Sequence, residues 1–105
     1  MKGVCLTFYT YELQKHHEVL LYEWILEFAK KNQIHGGSVF RGIAGYGGRG
    51  IIHEAHFFEL ASNVPVEINF LIAKEQAEQF LQLVKEEKVQ IFYSMHEVEY
   101  GILND

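Results

Sequence analysis

The sequence predicts an α+β fold in which two helices cover one face of a four-stranded antiparallel sheet. Apolar residues alternate with a period of two in four stretches and recur at helical spacing in two others. Along the chain these stretches follow the order βαββαβ, which is the ferredoxin-like arrangement. The 105 residues contain no linker and no internal repeat, so residues 1–105 are predicted to form a single domain.

Each element is assigned from its apolar spacing. In the first helix Leu21, Ile25 and Phe28 are spaced by four and three, which places them on one side of an α-helix. In the third strand every second residue is apolar, and Pro65 stands near its start, where proline is tolerated. The predicted elements are strand 3–10, helix 17–31, strand 36–44, strand 64–73, helix 74–88 and strand 90–100.

The helices of such a fold leave the other face of the sheet uncovered. Alternation along the strands places Tyr9, Leu71, Phe92 and Tyr100 on that face. An exposed face this apolar is usually an interface, so the chain is expected to self-associate.

The first helix gives a second indication of self-association. Leu20, Trp24 and Phe28 form a row beside the core-facing residues, and the apolar arc is wider than packing on one sheet requires. The alternative is that Trp24 only covers the edge of the helix, because large aromatic side chains are often partly buried.

A glycine-rich segment separates the second and third strands. Residues 40–58 hold five of the nine glycines, and residues 45–50 match the G-x-G-x-x-G pattern of dinucleotide-binding proteins. That pattern should follow the first strand of a βαβ unit and open a helix, but here it follows a second strand. A Rossmann-type site is therefore rejected.

The chemistry of the segment still suits an anion. Glycines let successive N–H groups converge without interference from Cβ atoms, and Arg41 and Arg49 can donate charge-assisted hydrogen bonds to phosphate. The alternative is a surface loop in which the glycines only permit turns.

A set of motifs gives the chain a family resemblance. The motifs are Leu21-Tyr22-Glu23, Gly37, Arg41-Gly42-Ile43, Gly45-Tyr46-Gly47 and His53. In this combination they resemble the domain of unknown function 190 family, small bacterial and archaeal proteins with a PII-like fold, and the similarity covers nearly the whole chain.

The resemblance implies a homotrimer with its sheets packed inward. It also implies an intersubunit cleft that binds an adenine nucleotide, beside a loop at 44–57 that docks onto a transporter, channel or enzyme. The chain lacks the glycine-rich, basic loop that PII proteins carry before the last strand and has "KEEKVQ" there instead. The candidate ligand-binding residues are Arg41, Gly42, Gly45, Tyr46, Gly47, Gly48, Arg49 and His53.

A metal site is the competing hypothesis. His53 and His56 place two imidazoles within four residues, and three copies in a trimer could bind zinc or copper, as in a trimeric metal-tolerance protein of similar fold. On a strand, however, these two side chains would point to opposite faces, and they could equally be two solvated histidines.

Several function classes are excluded. No serine occupies a recognisable nucleophile setting, and Cys5 is flanked by apolar residues, so no enzyme is predicted. The net charge of −5 and the absence of an RNA-binding motif on the third strand argue against nucleic acid. No membrane-spanning or signal segment is recognisable, and the single cysteine suits a reducing cytoplasm.

The sequence therefore predicts a cytoplasmic, non-enzymatic, PII-like trimer. It would sense a small anionic ligand and relay its state to a partner protein through residues 44–57. A metal-binding trimer and a purely structural oligomer remain as alternatives.

Overall fold

Alternating apolar side chains build an antiparallel sheet whose strands lie in the order β4-β5-β1-β6. The computed structural model describes residues 1–45 and 63–104. Its elements are β1 (Lys2–Tyr11), β2 (Lys15–His16), β3 (Val19–Leu20), α1 (Leu21–Lys31), β4 (Ser38–Arg41), β5 (Pro65–Ile72), α2 (Lys74–Glu86) and β6 (Phe92–Glu99). Both helices pack on the same face of the sheet. The predicted ferredoxin-like fold is confirmed.

The strand register separates the two faces of the sheet. Leu6 on β1 is opposite Phe70 on β5 and Met95 on β6, and all three face the helices. We call this helix-packed side the covered face and the other side the open face. The residues of the open face are Cys5, Thr7, Tyr9, Ser38, Phe40, Glu67, Asn69, Leu71, Phe92, Ser94, His96 and Val98.

The core lies between the covered face and the helices. Phe8, Phe70 and Phe80 meet edge to face, with ring centroids 5.8 to 6.3 Å apart. Burying such a ring stabilises the fold by roughly 1.5 to 3 kcal/mol, and edge-to-face geometry is preferred for aromatic rings. Leu21, Ile25 and other apolar residues of both helices complete this core.

A short hairpin replaces the predicted start of the first helix. The prediction placed that start at His17, but His17 and Glu18 have φ values of 51° and 67° and form the turn between β2 and β3. A two-residue turn of this kind needs positive φ at both positions, which an α-helix does not allow. The helix therefore begins at Leu21 rather than at His17.

The outer aromatic residues of α1 are engaged within the chain. The Trp24 ring stacks on Phe28 with centroids 4.7 Å apart, and Phe28 lies 5.7 Å from the buried Phe80. The His16 and Trp24 rings meet edge to face, with centroids 4.6 Å apart. Trp24 and Phe28 are therefore partly buried by contacts within their own chain, which agrees with the alternative interpretation of Trp24.

The second strand is shorter than predicted. The chain leaves the sheet at Gly42 rather than continuing to Ala44. Within residues 1–45 and 63–104, neither helix has the length and apolar character needed to cross a membrane.

Candidate functional site

Three chain segments meet at the corner of the sheet where β1 and β4 end and β5 begins. The Gly42 N–H donates to the Pro65 carbonyl at 2.7 Å, which joins the end of β4 to the start of β5. The Glu12 N–H donates to the Val64 carbonyl at 2.8 Å, which joins the end of β1 to the same segment. These main-chain bonds fix the backbone on which the predicted ligand-binding residues begin.

Asn63 extends this corner beyond the paired strands. Its Oδ1 accepts a hydrogen bond from the Leu13 N–H at 2.8 Å. The described residues that precede β5 are therefore held against the turn after β1 by a side chain as well as by main-chain bonds.

Arg41 is the charged group of the corner. Its guanidinium Nη2 donates to the Glu12 carboxylate, and the two side chains form an ion pair. The Arg41 side chain is 66% exposed, whereas that of Glu12 is 20% exposed. The hydrogen bond and the charge of Glu12 raise the pKa of Arg41, so the guanidinium is a permanent cation facing solvent.

Gly42 and Gly45 have a packing role at this corner. A Cβ atom on Gly42 would lie 3.0 Å from Pro65 Cγ, and one on Gly45 would lie 3.1 Å from the same atom. Both glycines therefore allow the chain to pass closely over the proline ring. Because the Gly42 N–H already bonds to Pro65, Arg41 is the group best able to attract an anion among the predicted ligand-binding residues that the structure describes.

The other predicted ligand-binding and metal-binding residues cannot be placed against this corner. Those that lie outside the described residues are Tyr46, Gly47, Gly48, Arg49, His53 and His56. Within residues 1–45 and 63–104, no three His, Cys, Asp or Glu side chains are grouped as metal ligands.

The open face has a polar seam that the sequence did not predict. The Thr7 hydroxyl donates to Asn69 Oδ1 at 2.6 Å, and the Asn69 amide donates to Glu67 Oε1 at 3.2 Å. The Cys5 Sγ lies 3.6 Å from the Thr7 hydroxyl. These polar groups satisfy one another across the middle of the sheet.

Exposed apolar side chains flank the polar seam. Phe92 is 73% exposed, Phe40 is 58% exposed and Leu71 is 53% exposed. Tyr9 lies beside Phe92, and its hydroxyl is 2.9 Å from Ser94 Oγ. Of the residues predicted for the open face, Tyr9, Leu71 and Phe92 lie on it, whereas Tyr100 follows the end of β6 at Glu99. The seam divides the apolar residues of this face into separate groups.

His16 has an unusual environment beside α1. Its ring lies between His17, at 4.1 Å, and Trp24, and its buried Nε2 has no hydrogen-bond partner among the described residues. Burial lowers the pKa of His16, and the neighbouring His17 lowers it further, while Glu87 opposes the shift. The imidazole therefore favours its neutral form.

Glu12 is the site residue that the sequence did not predict. It lies 29 positions from Arg41, and no local motif connects them. Only the register brings them together: Arg41 is opposite Val66, Val66 is opposite Thr10, and Glu12 follows Thr10 by two residues.

Comparison with solved structures shows a PII-like fold. CPII, a nitrogen regulatory PII-like protein from Thiomonas intermedia solved bound to ADP, AMP and bicarbonate, superposes with a TM-score of 0.62 at 13% sequence identity. The match covers 97% of this chain and 96% of CPII.

Sequence relatives occur in a bacterium and an archaeon. A UPF0166 protein of Aquifex aeolicus is 33% identical over 85 residues, which cover 81% of each chain. The UPF0166 protein MJ1524 of Methanocaldococcus jannaschii is 35% identical over 81 residues, which cover 77% of this chain and 74% of the relative.

A family model matches almost the whole sequence. The match runs over residues 3–100 and belongs to DUF190, described as Uncharacterized ACR, COG1993. It includes both helices and all strands except for Lys2, the first residue of β1, as the motifs quoted above led us to expect. The chain therefore belongs to the domain of unknown function 190 family.

Proposed function

We propose that the protein is a PII-like signalling subunit that binds an adenine nucleotide beside Arg41. Three subunits would assemble through their open faces, and the nucleotide would lie between neighbouring subunits. Residues 44–57 would relay its presence to a partner protein such as a transporter, channel or enzyme. The protein would perform no catalysis of its own.

The main support for this proposal is the position of the Arg41 side chain. A phosphate group needs a cation that water can reach, on a backbone that does not move away from it. Arg41 meets both requirements, because its side chain is two-thirds exposed and the next residue is bonded to Pro65. In this proposal Arg49 and His53 join it at the ligand, and the loop N–H groups of residues 45–48 complete the anion contacts.

The nucleotide class is suggested by the fold relative. CPII was solved with ADP and AMP, and its chain and this one match over nearly their full lengths. At 13% identity the likeness extends to the fold alone, so the ligand remains part of the proposal.

The open face supports assembly of like subunits. Exposed Phe92, Phe40 and Leu71 would lose contact with water, which favours association. The Thr7–Asn69 bond already pairs polar groups of the seam within one subunit. Covering them therefore incurs little of the cost of burying unpaired polar groups.

The relay would operate by population shift. A ligand that contacts Arg41 and the segment after it binds one arrangement of that segment better than the others. It therefore increases the population of that arrangement in proportion to its differential affinity. A partner that fits only one arrangement would then respond to nucleotide concentration.

Calorimetric titration with ADP, AMP and ATP tests the ligand. We expect at least one nucleotide to bind the wild-type protein and Arg41→Gln to weaken that binding about tenfold, the effect of losing a charged hydrogen bond. Lys2→Gln is the matched control, because it removes the same charge at the opposite end of β1. Equal losses in both variants, or no binding of any nucleotide, would contradict the proposal. A titration with Zn²⁺ alone tests the metal alternative.

Analytical ultracentrifugation tests the assembly. We expect a trimer at micromolar concentration, and Phe92→Asp should dissociate it by placing a charge in the covered interface. A wild-type monomer under these conditions would rule out the intersubunit site.

A further inference from the structure

We propose that Glu12 is a built-in competitor for the ligand, holding Arg41 in the free protein and releasing it when a phosphate group binds. This inference rests on the proposed function. It adds a regulatory residue to the same site.

The geometry gives the two partners different freedom. The Glu12 backbone is bonded to Val64 and its side chain is four-fifths covered, so its carboxylate has less freedom to move than the Arg41 guanidinium. Arg41 is the last residue of β4, and its side chain is mostly exposed. Arg41 can therefore turn from one partner to another while Glu12 stays in place.

The chemistry of the guanidinium makes the exchange possible. It carries five N–H donors in a planar fork, and a carboxylate and a phosphate both bind it through charge-assisted hydrogen bonds. An ion pair as exposed as this one is weak, and competition of this kind changes an affinity by about fivefold at most. The pair is thus strong enough to compete with an anion and weak enough to be displaced.

The retained carboxylate also opposes the ligand. Glu12 stays close to Arg41 after the exchange and repels any incoming anion, and this repulsion grows with the charge of the ligand. Removing the Glu12 charge should therefore help a phosphate group with two negative charges at least as much as a singly charged carboxylate or bicarbonate.

Calorimetric titration of the full chain with ADP and with acetate tests this inference. We expect Glu12→Gln to bind ADP about fivefold more tightly than the wild-type protein. Acetate binding should improve by the same factor or less, because the repulsion by Glu12 grows with the charge of the ligand. The matched control is Glu97→Gln, which removes the same charge on β6, at the opposite edge of the sheet from β4. It should change ADP affinity less than twofold.

Salt provides an independent readout. The gain from Glu12→Gln should shrink as ionic strength rises from about 0.05 M to about 0.5 M, because the competition is between exposed charges. Glu12→Asp serves as a second variant, in which the carboxylate is kept but its reach is shortened. It should give a smaller gain than Glu12→Gln.

Each contrary outcome has its own meaning. Equal ADP affinity in the wild-type protein and Glu12→Gln overturns the competitor while leaving the nucleotide site standing. Weaker ADP binding in Glu12→Gln also overturns it and makes Glu12 a positioning residue for Arg41. Absence of ADP binding in every variant, including those with a released Arg41, overturns the competitor. If AMP and ATP do not bind either, the proposed function is overturned as well.

Discussion

The two faces of the sheet are built from the same strands but by different means. On the covered face, Phe8 and Phe70 are almost completely buried within a cluster of apolar residues. On the open face, the adjacent Thr7 and Asn69 pair through a hydrogen bond, and Phe92 remains mostly exposed. Close apolar packing stabilises one face. On the other face, polar side chains pair with one another and aromatic side chains remain exposed to solvent.

The difference separates folding from assembly. A close-packed face gives the subunit its stability, because every buried ring loses contact with water and gains dispersion contacts. A face with internally paired polar groups adds little to that stability, but it can be covered later at low cost. Substitutions on the two faces should therefore affect different measurements.

The largest effect is expected from Phe8→Ala on the covered face. It removes a fully buried ring and should lower the free energy of unfolding by about 3 to 5 kcal/mol, measured by urea denaturation. Phe92→Ala on the open face is the control, since the Phe92 ring is 73% exposed. It should change subunit stability by less than about 0.5 kcal/mol. Comparable losses in the two variants would break the distinction between the faces.

A smaller effect is expected from Gly37→Ala. A Cβ on Gly37 would lie 2.4 Å from the Phe70 Cε1, so the packed ring would have to move. We expect a loss of about 1 to 3 kcal/mol in the free energy of unfolding. Gly36→Ala is the matched control, because a Cβ there meets no atom within 4 Å. A neutral Gly37→Ala would show that the covered face is less tightly packed than described.

The smallest effect is expected at the margin of the helix layer, where His16 lies beside Trp24. Burial lowers its pKa in the folded state, so the unfolded chain binds a proton more readily as the pH falls through the reference value of about 6.5. The contribution of neutral His16 to the free energy of unfolding should be fully present above that pH and should be lost progressively below it. His16→Gln should make the decline shallower in thermal melts between about pH 7.5 and 5. If the melting temperatures of the wild-type protein and His16→Gln fell equally with pH, the lowered pKa of His16 would be contradicted.

Most of the fold could be predicted because its signals are local. Period-two alternation identified four of the strands, and helical spacing identified both helices. The β2–β3 hairpin was missed because its turn is His17-Glu18 rather than a sequence such as Asn-Gly. Helical spacing then extended upstream past the true start at Leu21.

The site was predicted only in part because its contacts are not local. Arg41 was identified from its charge among glycines, but its partner Glu12 depends on the pairing of three strands. The polar seam likewise joins Thr7 to Asn69, which are 62 positions apart. Alternation predicts the face on which a residue lies, but it does not predict which side chains on that face meet.

The single thiol of the chain lies beside this seam. Cys5 is partly exposed on the open face, with its Sγ 3.6 Å from the Thr7 hydroxyl. A maleimide or disulfide reagent must approach from the side on which another subunit would lie. Labelling kinetics at a natural position can therefore report whether the sheet is covered, without an introduced probe and at protein concentrations too low for sedimentation.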